Sequence, residues 1–476
     1  MNKNVLNDFD FGYADADTEF LHSREIFEKA FYDPFNYINE LVNGPKFLLV
    51  GRKGSGKSAY KNKLMQLSQD KLMLIDAVNV DVGKIDYSLF DRIVSCKNEG
   101  GRKYESIWRL IIYLNIICKT YEMGGTSAFD EIIEILLENG IFLDEEIKIT
   151  LKKFNKKRGQ LTLPHNEERK KIELDEFLIK CNRIIKTEYR PQSQMMLIFD
   201  GLDDILRFNN RNLNLLSGLI RTINEFNNDN FSKRIKIKGI LLIRTDILYL
   251  LHDPDLNKIK RDAGIELIWD TYNLRELINL RLRMINKNIL IDNLLCNSMS
   301  TKNTFDYLLD YTFLRPRDLL QFFVIAKEVF PRKEAIDKRN DFFTVLKLFS
   351  SKYLLEEIKD ELTGFLEDEQ IGELNTIFKS LGNRNFSFDE FRNAIIKVEG
   401  NVERDNKYYT DFLITLLNTS FIGQIEIHKE YRKIEKREKP IPKVFFRYKS
   451  PTMTIRLDSK FILHQSLKPA FNFSIS

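Results

Sequence analysis

Residues Lys46–Tyr60 read KFLLVGRKGSGKSAY, and this stretch decides the fold. KFLLV has the length and apolarity of a buried strand, Ala59 to Leu67 has helical periodicity, and the residues between them satisfy GxxxxGK[ST]. Strand, glycine loop and helix in that order make a cradle for phosphate. Gly51, Gly54 and Gly56 permit positive φ and close approach of backbone to ligand. Amide N–H groups and the helix amino terminus favour negative charge, Lys57 reaches the outer phosphates, and Ser58 offers a hard oxygen to Mg2+. The expected ligands are ATP and Mg2+, with Arg52, Lys53, Ser55 and Ala59 completing the loop. A glycine-rich turn without ligand is the bland alternative.

Such a loop needs an acidic partner at the end of a neighbouring buried strand, to hold the metal through water. Met195–Leu206 reads MMLIFDGLDDIL and supplies one: Asp200 closes the apolar run and is assigned to magnesium with Ser58. Asp204, with Asp203 as runner-up, is the candidate for polarising the attacking water. Acidic residues that merely begin a helix account for the same pair. A third apolar run ends GILLIRTDIL, placing Arg244 at the carboxyl edge of a sheet, where ligands bind in open α/β folds. Its expected role is to sense the γ phosphate, and local pairing with Asp246 is the competing reading. In LRPRDLL, Arg317 and Arg315 flank Pro316 at a helix start, so that an arginine could reach back to the nucleotide; capping by Asp318 is equally open.

The 476 residues, 43% hydrophobic and 30% charged, exclude a disulfide scaffold and wholesale disorder. The longest apolar stretch, Ile107–Cys118, is interrupted by Arg109 and is too short to span a bilayer. No signal peptide is expected at Met1–Tyr13, so the expectation is a cytoplasmic chain with no membrane partner. Cys96, Cys118, Cys181 and Cys296 form no CxxC pair, and the five histidines show no ligand spacing, which argues against a zinc or disulfide framework. The net charge of +5 is small, but His428–Lys449 alone holds nine Lys/Arg against three Glu. This basic segment is the candidate contact for nucleic acid, or for an acidic partner protein.

Strand runs at Lys46–Val50, Leu72–Val80, Met195–Phe199 and Ile237–Ile243 alternate with helical patterns at Glu105–Tyr121, Ala128–Glu138 and Ile172–Lys186. The expectation is an α/β core, a parallel P-loop sheet of the ASCE type, over residues 1–270 with a helical insertion near 100–190. Residues 24–42 read as one helix and Leu151–Lys171 as an exposed connector or hairpin tip. Residues 271–368 read as a helical lid, with helices at Leu274–Met284, Thr304–Tyr311, Pro316–Val329 and Phe342–Leu366. Residues 369–476 read as winged-helix-like, with helices at Phe388–Val398 and Tyr409–Asn418 and strands at Val444–Tyr448 and Met453–Leu457.

Taken together, FGYADADTEF (Phe11–Phe20), GRKGSGKSAY, LIFDGLDD, LIRTDIL, RPRD and the terminal FRYKSPTMTI…FILHQSLKPAFN resemble a group of bacterial P-loop ATPases allied to STAND and KAP-type NTPases. The resemblance runs from Phe11 to Asn472. It implies an ATP-dependent switch or oligomerising ATPase with a helical lid and a winged-helix tail, often encoded near phage-defence or mobile-element genes. No nuclease, protease or deaminase constellation is visible, so a damaging activity is expected from an effector protein encoded nearby. Gly201 stands where AAA+ motors carry a catalytic glutamate. Asp204 is one methylene shorter than the glutamate of the related DGLDE turn, reaching about 1.5 Å less far, which predicts slow turnover. Two competing functions stand beside the switch. One is a nucleic-acid-binding or scaffold protein in which nucleotide is mainly structural; the other is a small-molecule kinase.

Overall fold

The computed structural model describes the chain except residues 1–4, 86, 94–102, 125–126, 144–145, 165–169, 190–191, 203–211, 252, 297–301, 433–436 and 474–476. Its contacts divide the chain into two units. A sheet unit comprises Asp33–Arg52 and Gly56–Leu267. A helical unit comprises the described residues up to Tyr32, the three loop residues Lys53–Ser55, and the chain from Ile268 onward.

The sheet unit is built on β1 (Leu48–Gly51), β2 (Ile75–Asp81), β5 (Gln194–Asp200), β6 (Ile237–Arg244) and β7 (Gly264–Glu266). All are parallel, in the order β2-β5-β6-β1-β7. β6 therefore lies between the strand that leads into the glycine loop and the strand that ends in Asp200. Every residue of β1 and β6 is buried, as befits central strands of a parallel sheet covered by helices. Lys57–Gln69, Glu105–Glu122 and Asn212–Ser232 supply that cover. Within it, Trp108 is fully buried and its indole N–H donates to the Leu215 carbonyl at 2.9 Å. This is the α/β P-loop architecture that the sequence predicts.

The differences are local. The expected strand at Leu72 begins at Ile75, because Lys71 has positive φ and Leu72 and Leu74 are exposed. The expected helix over 24–42 is two helices, Arg24–Ala30 and Tyr37–Asn43, separated by Asp33-Pro34 and by Asn36 in the left-handed region. The charged 151–171 stretch is partly the helix Ile147–Lys156 and partly an antiparallel hairpin of β3 (Gln160–Thr162) and β4 (Lys171–Glu173).

In the helical unit, Pro316–Val329 forms as predicted, with proline at its first turn. Where the sequence suggests one helix over 342–366, the chain runs Arg339–Leu348, then a π-helical segment Phe349–Leu354, then Leu355–Leu362. The amino-terminal segment packs into the same core: Phe11 stacks on Phe323 at 5.1 Å, and Glu19 makes a buried bidentate pair with Arg281. The unit ends in helices Asp368–Leu381, Phe388–Val398 and Asn406–Asn418 with a sheet of β8 (Asn385–Phe386), β9 (Ile422–Arg432), β10 (Arg437–Phe445) and β11 (Lys460–Leu463). The order is β10-β9-β11-β8, a winged-helix-like arrangement in which the third strand of the motif is β11. The expected strand at Met453–Leu457 is absent from this sheet. The hairpin instead extends upstream through Pro440 and Pro442, which β10 tolerates because it is an edge strand.

Candidate functional site

The parallel register assembles the sheet-unit residues. Gly51 is paired with Arg244, and Asp200 with Asp81, so the glycine loop, the arginine and two strand-ending aspartates lie along one carboxyl edge. Gly56 caps the Lys57–Gln69 helix with φ of 104°, a conformation that glycine adopts without a Cβ penalty. Lys57 folds back over the loop, its ammonium donating to the carbonyls of Gly51 at 2.9 Å and Arg52 at 3.2 Å. Ser58 and Ala59 occupy the first turn, half-buried.

Asp200 is met one turn further along that helix. Lys61 Nζ lies 2.9 Å from Asp200 Oδ2, and Oδ1 accepts from the Gly201 amide at 2.9 Å. Gly201 has φ of 85°, and a Cβ there would fall 2.7 Å from Asp81 Oδ1, so the turn after β5 closes tightly on the end of β2. Sequence reading missed both Lys61 and Asp81. The signal for Asp81 was present, since IDAVNVD ends in aspartate as MMLIFD does; Lys61 is legible only as the residue four after Lys57. Asp203 and Asp204, the candidates for orienting water, lie outside the described residues.

Arg244 is buried and bidentate to Asp246, with Nε–Oδ1 3.0 Å and Nη2–Oδ2 2.5 Å. Local pairing, the competing expectation, is thus the contact observed. Burial pushes the Asp246 carboxyl up, but the Arg244 guanidinium and the Lys57 ammonium outweigh it and hold the group below its usual range. Lys57, Asp246 and Arg244 therefore form one electrostatic group.

The remaining loop residues, Lys53, Gly54 and Ser55, make their contacts in the helical unit. Lys53 Nζ pairs with Glu357 at 2.8 Å and stands 3.6 Å from Asp360. Arg317 also pairs with Glu357, at 3.0 Å, and its Nε donates to the Ala14 carbonyl at 3.1 Å. Arg315 is almost fully buried, donating to Asp318 through Nε at 3.0 Å, to Glu361, and to the Lys53 carbonyl at 3.2 Å. The two arginines of RPRD thus have different surroundings: Arg315 is locked in a buried carboxylate network, and Arg317 is the half-buried one beside Gly54.

The donors available for a metal are hard oxygens. Among the described residues, no group of three or more His, Cys, Asp or Glu could hold a metal ion. The Ser58 hydroxyl and Asp200 carboxylate suit a cation that keeps most of its ligands as water and phosphate, the habit of Mg2+.

Residues 272–357 match the family described as FunZ-associated C-terminal helical domain. Over 333 residues, 64% of this chain, the protein is 23% identical to the putative transposon gamma-delta 80.3 kDa protein of Escherichia coli (strain K12). The chain spans only 45% of that relative's length. Among solved structures, it aligns with the Orc1 protein of Aeropyrum pernix, solved in complex with DNA, over 94% of this chain and 90% of that one, at 12% identity and a TM-score of 0.36. It also aligns with Cdc6p from Pyrobaculum aerophilum over 97% and 96% of the two chains, at 12% identity and a TM-score of 0.27.

Proposed function

We propose that the protein is a P-loop ATPase that binds ATP with Mg2+ and hydrolyses it slowly as a switch. The observation that carries the reading is the β2-β5-β6-β1-β7 order, which puts the glycine loop, Arg244 and Asp200 at one sheet edge with Lys57 bonded across the loop. In this reading the loop amides and Lys57 hold the β and γ phosphates, and Arg244 supports that charge once Asp246 shares it. Ser58 and, through water, Asp200 hold Mg2+, which neutralises phosphate charge when bound. Asp204, or Asp203, orients water; Arg317 is the candidate lid arginine. In this reading the sheet unit is the ATPase core, and the helical unit carries both the lid and the winged-helix-like domain. The switch couples nucleotide state to homo-oligomerisation or to a partner, and a role in phage defence with a separately encoded effector follows from the family resemblance.

Titration calorimetry with Mg-ATP, together with phosphate release, tests this. Lys57→Ala removes the heat of binding, whereas Asp204→Asn keeps binding and loses release. Equal hydrolysis by wild type and both variants sinks the proposal.

A second reading, engagement of nucleic acid, draws on the hairpin. The described residues of the basic 428–449 segment fall on β9 and β10 and the turn after them, residues 433–436 lying outside the described ones, and Ile427 and Val444 on those strands are exposed. The full chain is expected to bind mixed-sequence DNA with affinity that falls steeply as salt rises. Affinity independent of salt, or absent, counts against it.

A further inference from the structure

Three consecutive carbonyls of the glycine loop are each held by a donor from the helical unit. The Lys53 carbonyl accepts from Arg315 Nη1 at 3.2 Å, the Gly54 carbonyl from the Arg317 amide at 3.4 Å, and the Ser55 carbonyl from the Trp269 indole N–H at 2.8 Å. In a trans peptide the carbonyl and the following amide point in opposite directions, and there is no cis bond among the described residues. Holding those three oxygens against these donors therefore turns the amides of Gly54, Ser55 and Gly56 away from them. Successive N–H groups turned together make an anion-binding concavity.

The donors are themselves fixed. Trp269 is buried, and its ring lies 6.3 Å from that of Tyr32, whose hydroxyl donates to Asn273. Arg315 is clamped by Asp318 and Glu361. Arg317 is gripped by Glu357 and by the Ala14 carbonyl, within the Phe11–Phe20 motif that the nucleotide chemistry leaves unexplained. Glu357 closes the arrangement by pairing with Lys53 of the loop itself, and its side chain is only 12% exposed.

From this geometry we infer that Trp269 and Glu357 are positioning residues of the phosphate loop: they preset its amides for a triphosphate and touch no phosphate themselves. The inference rests on the reading of Gly51–Ser58 as a triphosphate seat. Preorganisation lowers the ordering cost that binding otherwise bears, so its loss weakens affinity. For Glu357 the sign is diagnostic. A purely electrostatic role would make Glu357→Gln bind a polyanion more tightly, because a nearby negative charge is gone; a positioning role makes it bind less tightly.

The experiment measures Mg-ATP affinity by calorimetry, and the unliganded melting temperature, for the full chain and three variants. Trp269→Phe keeps the ring and removes the indole donor. Glu357→Gln keeps the shape and removes the charge. Trp108→Phe removes another buried indole hydrogen bond, from the core of the sheet unit. Trp269→Phe and Glu357→Gln are each expected to lose about tenfold in affinity, the scale of one hydrogen bond. Trp108→Phe is expected to lower the melting temperature and leave affinity in place. Unchanged or tighter binding in Trp269→Phe or in Glu357→Gln, or affinity losses in all three that track the melting temperature, overturn the inference. Absence of heat with the wild-type chain overturns instead the triphosphate reading on which it rests.

Discussion

At the scale of single residues, the informative groups are those whose charge the fold has to accommodate. Lys61 neutralises Asp200 at 2.9 Å, and both side chains are mostly buried. Lys61→Met leaves that carboxylate without its cation, and the melting curve is expected to show a loss of about 1–3 kcal/mol; Asp200→Asn costs less, because the amide still accepts from Gly201. Lys238 is a different case. It is buried, and its ammonium caps the Tyr37–Asn43 helix by donating to the carbonyls of Leu41 at 2.5 Å and Gly44 at 2.7 Å. Burial pulls its pKa down to about 8 against an ordinary 10.5, with Glu40 opposing. Between those two values the unfolded chain binds more protons than the folded one, so this group makes stability rise with pH from about 8 to 10.5. Denaturant titrations of wild type and Lys238→Met across that range are expected to differ in slope, the wild type gaining about 3 kcal/mol more. Parallel pH profiles would contradict this.

At the scale of elements, the helices around the loop tip carry the cost of buried charge. Arg315 and Asp318, one turn apart at the start of the Pro316–Val329 helix, are essentially inaccessible, and Arg315 also pairs with Glu361 from the Leu355–Leu362 helix. Removing one partner of such a network strands the others in low dielectric. Arg315→Ala is expected to cost about 3–5 kcal/mol by chemical denaturation, and Arg317→Ala, on the half-buried arginine, distinctly less. Equal losses would show that the burial difference has no energetic meaning. The π-helical Phe349–Leu354 segment belongs to the same element: it offsets the helix face just before Glu357 and Glu361. Periodicity alone cannot register that offset, which is why residues 342–366 read as one regular helix. The same limit applies to β10, where two prolines read as breakers until the strand's place at the sheet edge is known.

At the scale of the whole molecule, acid is expected to act through both units. In the sheet unit burial raises the Asp246 pKa, but Arg244 and Lys57 depress it further; in the helical unit burial likewise raises Glu357, and Arg317 and Lys53 outweigh it. Both folded pKa values lie below the ordinary ones of 3.8 and 4.5, so their stabilisation is complete above about pH 5 and is lost as pH falls through the folded values. Acid titration followed by circular dichroism should show wild type losing stability below pH 4 more steeply than Glu357→Gln. No described helix is long and apolar enough to cross a membrane.

Much of the sheet unit was legible in the residues. KFLLV, MMLIFD and GILLIR are continuous apolar runs, and a run buried on both faces announces a parallel strand whatever its neighbours are. The glycine loop was legible for a similar reason, because positive φ, a lysine and a hydroxyl at fixed spacing are local requirements. Partnership was not. That Asp200 meets Lys61, that Asp81 stands beside Asp200, and that the tip Lys53–Ser55 is bonded to Trp269, Arg315 and Glu357 all depend on strand order and on residues hundreds of positions apart. Chain-local chemistry can specify what a segment is able to bind; only tertiary packing selects which of several carboxylates and cations satisfy one another, because that choice is made by distance and desolvation.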